Sequence, residues 1–372
     1  MDEFIPVSKP SITDLELNYV TKAVKSGWVS SLGSFLTEFE EKFAKYNDVK
    51  YAALVSNGTV GLHLALKGYG ISSLDEVIIP NFTFIATANA VSYVGAKISL
   101  ADIDPNSLCL DTDNIKNYIT DKTRAIIPVH IYGHPANMNI INEIASENNL
   151  IVIEDCAEAH GAAIGGTKVG SFGNCGVFSF YGNKIITTGE GGIITTNDHE
   201  FYESIISLRD HAMDKNKRYW HDKIGFNYRM TNLQAALGLA QLERIEEILN
   251  RKLEIFIKYK ELLGEIHYLK LNQTKIGYKN VYWVIYIIVD NLNLDKRDKL
   301  MDNLKRLNID TRPFFYPISQ MMLHDVSHDY KTPVTNQIYS KGIILPSFYD
   351  LTDDQITYIC SNLLVQINLV IK

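Results

Sequence analysis

Short runs of consecutive apolar residues alternate with longer amphipathic stretches through the first 245 or so residues of the chain. The runs YAALVS, DEVIIP, AKISLADID, TRAIIPVH and NLIVIED place apolar side chains on successive positions, which predicts strands covered on both faces, as parallel strands are. Between them, TVGLHLALKGYG, FIATANAVSYVG and MNIINEIASENN repeat their apolar residues at helical spacing. This alternation predicts an open, mostly parallel α/β sheet with right-handed crossovers. Ligands in such sheets gather at the carboxyl ends of the strands.

Ahead of the first strand, SITDLELNYVTKAVKSG opens on a capping-box pattern, Thr13 followed by Glu16, and LTEFEEKFAKYN predicts a second helix. After Met230 a long helical pattern, TNLQAALGLAQLERIEEILNRKLEIFIKYKELL, is expected to bend or break near Asn250 and to carry the chain into a second part. There VYWVIYIIVD predicts a strand, RDKLMDNLKRLN a helix and DDQITYICSNLLVQINLVIK a final helix. The expected organisation is a large α/β domain over residues 1–245 and a smaller C-terminal α/β domain over residues 246–372. Neither an internal repeat nor a low-complexity linker marks the boundary.

At 372 residues, 46% hydrophobic and 21% charged, the chain can bury a sizeable core and exceeds one typical domain. A net charge of -7, with no long Lys/Arg run, argues against a nucleic-acid partner. The start, MDEFIPVSKP, is acidic and interrupted by prolines, unlike a signal peptide or an anchor, and no apolar run reaches the roughly 20 residues that cross a bilayer. A cytoplasmic location without a membrane partner is expected. Cys109, Cys156, Cys175 and Cys360 are widely spaced with no C-x-x-C pair, so reduced core thiols are expected rather than disulfides or a zinc knuckle. His130 and His134 stand four apart in VHIYGHP, but Gly133 and Pro135 make this a strand end and turn, and no third ligand is evident; no metal is expected.

Three segments carry candidate chemistry. VSNGTVGLHLAL runs from a strand through a small-residue turn into a helix, which sets the amides of Gly58 and Thr59 where a helix N-terminus favours a phosphate. It is neither a G-x-x-x-x-G-K-[ST] loop nor a G-x-G-x-x-G fingerprint, and a plain turn and cap explains it equally in isolation. NLIVIEDCAEAHG delivers Glu154 and Asp155 to a strand's carboxyl end, and alternation lets only one face a pocket; Asp155 is the candidate, beside the alternative of a solvated pair or a cap. In SFYGNKIITTGEGG, Lys184 follows a strand-like run and precedes a glycine cluster, a cramped setting that lowers an amine's pKa from about 10.4 and makes it a nucleophile. A lone lysine is ordinarily a surface residue. Together with an acid and phosphate donors, however, it matches the needs of an aldehyde cofactor, pyridoxal 5'-phosphate (PLP), which bonds to lysine as a Schiff base.

With these residues assembled, the chain resembles the PLP-dependent sugar-nucleotide aminotransferases of the aspartate aminotransferase fold, type I. The likeness runs nearly end to end, through PSITDLELNYV, VSNGTVGLHLAL, DEVIIPNFTFIATANAV, VHIYGHP, VIEDCAEAHG, SFYGNKIITTGEGG, YWHDKIGFNYRMTNLQAALGLAQLE and TRPFFYP. It implies a large domain with a mostly parallel central sheet flanked by helices, plus a smaller C-terminal α/β domain. Lys184 is implied as the cofactor-bonding lysine and proton carrier, and Asp155 as the acid facing the pyridine nitrogen. Gly58, Thr59 and Ser179 match the family's phosphate cradle, and Phe84 the aromatic that stacks on the ring, although Phe84 could equally be plain core. Asn227 matches an asparagine supplied to the phosphate by a neighbouring subunit, which implies a homodimer with active sites at the interface; its plainer role is a turn residue. Glu158 stands where many relatives carry Gln, near the cofactor. Arg312, Trp220 and His221 are candidate sugar-nucleotide contacts, against a surface ion pair and interface packing.

The implied activity moves an amino group from L-glutamate to C4 of GDP-4-keto-6-deoxymannose, for surface-polysaccharide (O-antigen) precursors. UDP- or dTDP-linked 4-ketosugars are the nearest alternative. A sugar dehydratase is a second, and related dehydrating enzymes carry His where this chain has Lys184. A regulatory protein with a vestigial cofactor pocket is a third.

Overall fold

The computed structural model describes residues 3–321, 324, 326 and 331–371. Two helices lead the chain in, α1 (Asp14–Lys25) and α2 (Ser34–Tyr46). Thr13 caps α1 with its hydroxyl while the Glu16 carboxylate accepts the Thr13 N–H at 2.7 Å, so two otherwise orphaned donors are satisfied. Strands and helices then alternate: β1 (Tyr51–Val55), α3 (Gly58–Gly68), β2 (Glu76–Pro80), α4 (Ile85–Tyr93), β3 (Lys97–Ala101), β4 (Thr123–Ile126), α5 (Met138–Glu147) and β5 (Ile151–Asp155). A small hairpin of β6 (Ala163–Ile164) and β7 (Thr167–Lys168) precedes β8 (Cys175–Ser179), β9 (Gly192–Thr196) and α6 (His199–Arg209).

The central sheet has seven strands in the order β1-β9-β8-β5-β4-β2-β3. The pairs β2–β3, β2–β4, β4–β5 and β5–β8 are parallel, and β9 runs antiparallel to both its neighbours, so the sheet is mostly parallel as the apolar runs predict. Successive residues feed opposite cores. Ala53, Val55, Val77, Ile79, Ile153 and Val177 enter one cluster. Ala52, Leu54, Ile78, Val152 and Phe178 enter the other, which is why the strands read as unbroken apolar runs.

The long helical pattern after Met230 breaks earlier than its sequence suggests. It forms α7 (Asn232–Glu243) and α8 (Ile245–Leu263), with Arg244 at the joint (φ -101°, ψ 4°) and Asn250 inside α8. The cause is visible at the joint: Arg244 donates to Glu16 at 2.8 Å and to Glu247 at 3.1 Å, tying it to the start of α1. From there the apolar stripe changes partner. α7 buries Ala235 and Leu239 against the large sheet's core, whereas α8 carries Ile255, Phe256, Tyr259 and Leu263 into a second core.

That second core lies under a four-stranded antiparallel sheet, ordered β10 (Leu269–Leu271), β12 (Ile285–Val289), β14 (Gly342–Leu345) and β13 (Arg312–Pro313). Helices α9 (Leu294–Arg306) and α11 (Asp353–Ile371) complete it, and α10 (Pro333–Ile338) packs on the first core through Ile338. The pair β11 (Tyr278–Lys279) joins the hairpin β6–β7. The N-terminal arm also joins the second core, where Ile5 is fully buried and bridges Ile309. The expected strand VYWVIYIIVD is shorter than the pattern: only Ile285–Val289 pairs, because Tyr282 at φ 48° turns the preceding residues toward the large sheet. No helix among the described residues is long and apolar enough to cross a membrane.

Candidate active site

A cavity of about 550 Å³ opens at the carboxyl ends of β5 and β8 and at the N-terminus of α3. Asp155 and Ser179 end their strands there, and Gly58 and Thr59 open the helix. As the first two residues of α3, they have amides without intrahelical acceptors, while Asn57 caps the turn by accepting from Val60 N–H at 3.0 Å. The floor under those amides admits no side chain, since a Cβ on Gly58 would stand 2.9 Å from the Ser179 Cβ. Backbone donors, a hydroxyl and the positive end of a helix thus converge on one small space, a setting suited to an anion.

The strand alternation of β5 separates its two acids completely. Glu154 turns away from the cavity and accepts from Gly170, Phe172 and Gly173 N–H at 2.8 Å each, with His130 Nε2 at 3.0 Å. Asp155 faces the cavity. Its carboxylate accepts from the Thr87 hydroxyl at 2.8 Å and from Ala157 N–H at 3.1 Å. Burial pushes its pKa up, against the pull of Thr87, the Ala157 amide, Lys184 and His130.

Lys184 enters from the turn after β8, fixed by its own N–H to Tyr181 O at 2.9 Å. Only 12% of its side chain is exposed. The ammonium lies 3.8 Å from Glu158 and 4.0 Å from the centre of the Trp283 ring. Burial lowers its pKa, and Glu158 and Asp155 oppose that shift. Glu158 has the reverse problem: burial raises its pKa to about 7, with Lys184 and the Tyr132 N–H pulling it down and Asp155 pushing it further up. Phe84 stands half-exposed at the rim, its ring 5.7 Å from that of Phe315.

The structure therefore brings Gly58, Thr59, Phe84, Asp155, Glu158, Ser179 and Lys184 to one cavity. Arg312 lies in an adjoining cavity of about 460 Å³ that shares Thr83, Phe84, Asn183, Trp283 and Phe315 with the first; it donates to the Asp310 carboxylate and to Thr311 O. Trp220, His221 and Asn227 line neither. Trp220 donates to Asp222 at 2.8 Å and stacks under Lys217, His221 pairs with His211 O at 2.9 Å, and Asn227 bridges Asp210, all on the surface of this single chain.

Several residues in and directly behind the cavity escape sequence reasoning. Trp283 hides in a run that reads as strand, Thr87 in a run that reads as helix, and Asn183, which accepts the Trp283 indole N–H at 2.8 Å, in the turn before the lysine. The sequence offers for Thr87 only a polar letter in a mostly apolar helical run, a signal that Asn89 and Ser92 share. His130, Glu154 and Cys156 bring possible metal-ligand atoms within 4.8 Å of one another. Hydrogen bonds already occupy the first two, since His130 Nδ1 accepts from Ala136 N–H at 2.9 Å and its Nε2 faces Glu154, so the cluster reads as a structural clamp.

A buried amine between carboxylates, beneath an anion-binding helix start in an α/β sheet, defines a scaffold for carbonyl–amine chemistry on a phosphorylated cofactor. The chain belongs to the DegT/DnrJ/EryC1/StrS aminotransferase family, which it matches over residues 10–364. It is 43% identical over 361 residues to the GDP-perosamine synthase of Escherichia coli O157:H7, covering 97% of this chain and 98% of that one. It is 41% identical over 358 residues to the GDP-perosamine synthase of Vibrio cholerae, covering 96% and 97%. Among solved structures, an aminotransferase from Psychrobacter cryohalolentis superposes with a TM-score of 0.90 at 30% identity over 99% of each chain. The cofactor of this family is PLP, and the residues present fit it: an amine for the aldehyde, a carboxylate for the ring nitrogen, and a side-chain-free cradle of amides for the phosphate.

Proposed function

We propose that the protein is a PLP-dependent aminotransferase that forms GDP-perosamine, taking the amino group of L-glutamate and placing it on C4 of GDP-4-keto-6-deoxy-D-mannose. The observation that carries this reading is the single cavity in which the Lys184 amine, 3.8 Å from Glu158, shares the space with Asp155 and the α3 amides. The near full-length likeness to two proteins named for that product supplies the substrate.

The bound cofactor supplies an aldehyde that carries the amino group and an electron-withdrawing ring that stabilises charge left on a deprotonated carbon. The protein does the rest. Gly58 and Thr59 amides and the Ser179 hydroxyl hold the phosphate, Phe84 covers the ring, and Asp155 holds a proton at the ring nitrogen. The Lys184 amine, buried between Glu158 and Asp155, would hold and move the substrate carbon's proton, as base and then as acid. Arg312, in the adjoining cavity, is assigned to the substrate's diphosphate. Trp220 and His221 are assigned to the sugar nucleotide and Asn227 to the phosphate of a second subunit, so the working enzyme is a homodimer and these three act across its interface.

The test is turnover of GDP-, UDP- and dTDP-linked 4-keto-6-deoxysugars with glutamate, products read by mass spectrometry and NMR. A GDP-linked 4-aminosugar is expected; preference for another nucleotide, or ammonia release without net amination, overturns the substrate assignment.

A further inference from the structure

Glu158 is the acid to which the proposed chemistry gives no task. One oxygen accepts the Tyr132 N–H at 2.7 Å, and Tyr132 adopts φ 55°, a left-handed conformation rare for a tyrosine, in aiming it. The other oxygen faces Lys184 at 3.8 Å, with only 4% of the Glu158 side chain exposed. Of the surrounding titratable groups, Asp155 acts on both members, raising Glu158 and opposing the fall of Lys184, and the others carry no charge to the pair. Cys109 and Tyr132, packed near Glu158, are held neutral by burial, which raises both. His160, beside Lys184, is held neutral by burial, which lowers it to about 3. Lys252 shares a small cavity with Lys184 but gives its hydrogens to Ser347. Asp155 already has two donors of its own.

We propose that Glu158 is the positioning residue that sets the charge of Lys184: the two groups hold one proton between them, and its move to the carboxyl leaves the lysine a free base. In that move an N–H bond of the ammonium breaks and an O–H bond forms on the carboxylate, so an ion pair becomes a neutral pair with no change in the cavity's net charge. The gap of 3.8 Å exceeds a hydrogen bond, and the lysine's rotors close it by about 1 Å for the transfer. Burial favours the neutral pair from both sides, raising Glu158 to about 7 while lowering Lys184. The inference rests on Lys184 being the reacting amine of the proposed function.

The test uses the full-length chain freed of cofactor. Competitive labelling with trace acetic anhydride across a pH series, read by peptide mass spectrometry against an exposed lysine, gives the pH at which Lys184 is half free. Glu158→Gln removes the negative partner, so that midpoint is expected to fall by about 1–3 pH units, and Glu158→Asp is expected to restore part of the difference. An unmoved midpoint overturns the proposal. Should the glutamine variant not fold, infrared spectra of the unaltered chain decide: a protonated-carboxyl band persisting to about pH 7 supports it, and its absence overturns it. Borohydride trapping of the holoenzyme separates the two readings. An adduct at Lys184 with an unmoved midpoint sinks only the proton sharing, whereas an adduct elsewhere sinks the assigned amine.

Discussion

The buried hydroxyl chain behind Asp155 makes a demanding prediction. Thr87 Oγ1 lies 2.8 Å from the carboxylate and 3.1 Å from Thr83 Oγ1. Thr87 has one hydroxyl hydrogen, and a carboxylate can only accept, so Thr87 donates to Asp155 and Thr83 donates to Thr87. Thr87→Val keeps the shape and removes the donor. A hydrogen bond to a charged group contributes about 1.5–3 kcal/mol to the ionised form, so its loss pushes the Asp155 pKa further up. The sign follows. Burial already raises this acid, so its ionised form is lost as pH falls, and in the variant that loss begins at a higher pH. With the ionised carboxylate in its proposed place against the ring nitrogen, PLP affinity is expected to drop about tenfold or more near neutrality, with the gap widening toward acid. Titrating cofactor-free protein with PLP by absorbance at several pH values measures this, with Thr83→Val expected to show a smaller loss. Equal affinities and parallel pH profiles for Thr87→Val and the unaltered chain would refute the reasoning.

Other positions make separate claims. Glu154→Ala strands three backbone N–H groups and the His130 imidazole, each costing about 1–3 kcal/mol, so urea denaturation should show a loss of at least about 4 kcal/mol; a loss under about 1 kcal/mol contradicts the clamp. Gly58→Ala presses a methyl to 2.9 Å from the Ser179 Cβ, and a destabilisation of about 1–3 kcal/mol with weakened PLP binding is expected from melts and cofactor titration. Lys252 is buried with its amine bonded to Ser347 and, among the described residues, no acid paired to it, its pKa lowered by burial to about 7. The native state therefore binds fewer protons than the unfolded chain between about pH 7 and the ordinary lysine range, and stability rises with pH across that window. Lys252→Met should thus be stabilising below about pH 7, on the order of 2 kcal/mol after losing the Ser347 bonds, and the gain should vanish by about pH 10; a pH-independent difference in denaturation midpoints argues against a charged amine there.

Periodicity made the large sheet legible because its strands are buried on both faces, and a residue run such as VIIP admits no other half-buried reading. The helix break was legible as an expectation near Asn250, but its place at Arg244 was not. Its position depends on Arg244 reaching Glu16, more than two hundred residues upstream, and no local pattern around Asn250 or Arg244 encodes that pairing. The cavity divides the same way. Gly58, Asp155 and Lys184 sit at or just beyond the carboxyl ends of strands, where alternation and turn chemistry give each a direction. Trp283 lines the cavity and Thr87 supports Asp155 from behind it, both from inside apolar runs, where core packing and a functional role produce the same letters. Asn227, Trp220 and His221 are a third case: this chain's own packing leaves them on its surface, and the roles assigned to them rest on the proposed second subunit.

The acids around the lysine differ in how many donors each was given, and that number sets its use. Glu154 accepts four hydrogen bonds and is locked into the scaffold, where it braces the end of β5 and the loop through Gly170 to Gly173. Asp155 accepts two, which oppose the upward push of burial on its pKa, as the proposed place against a ring nitrogen asks of it. Glu158 accepts one, and burial wins, leaving its proton exchangeable near neutrality. A lysine that must serve as nucleophile, base and acid in turn needs a neighbour able to take a proton and give it back, and only the least-bonded of the three acids, the one 3.8 Å away, is placed to do so.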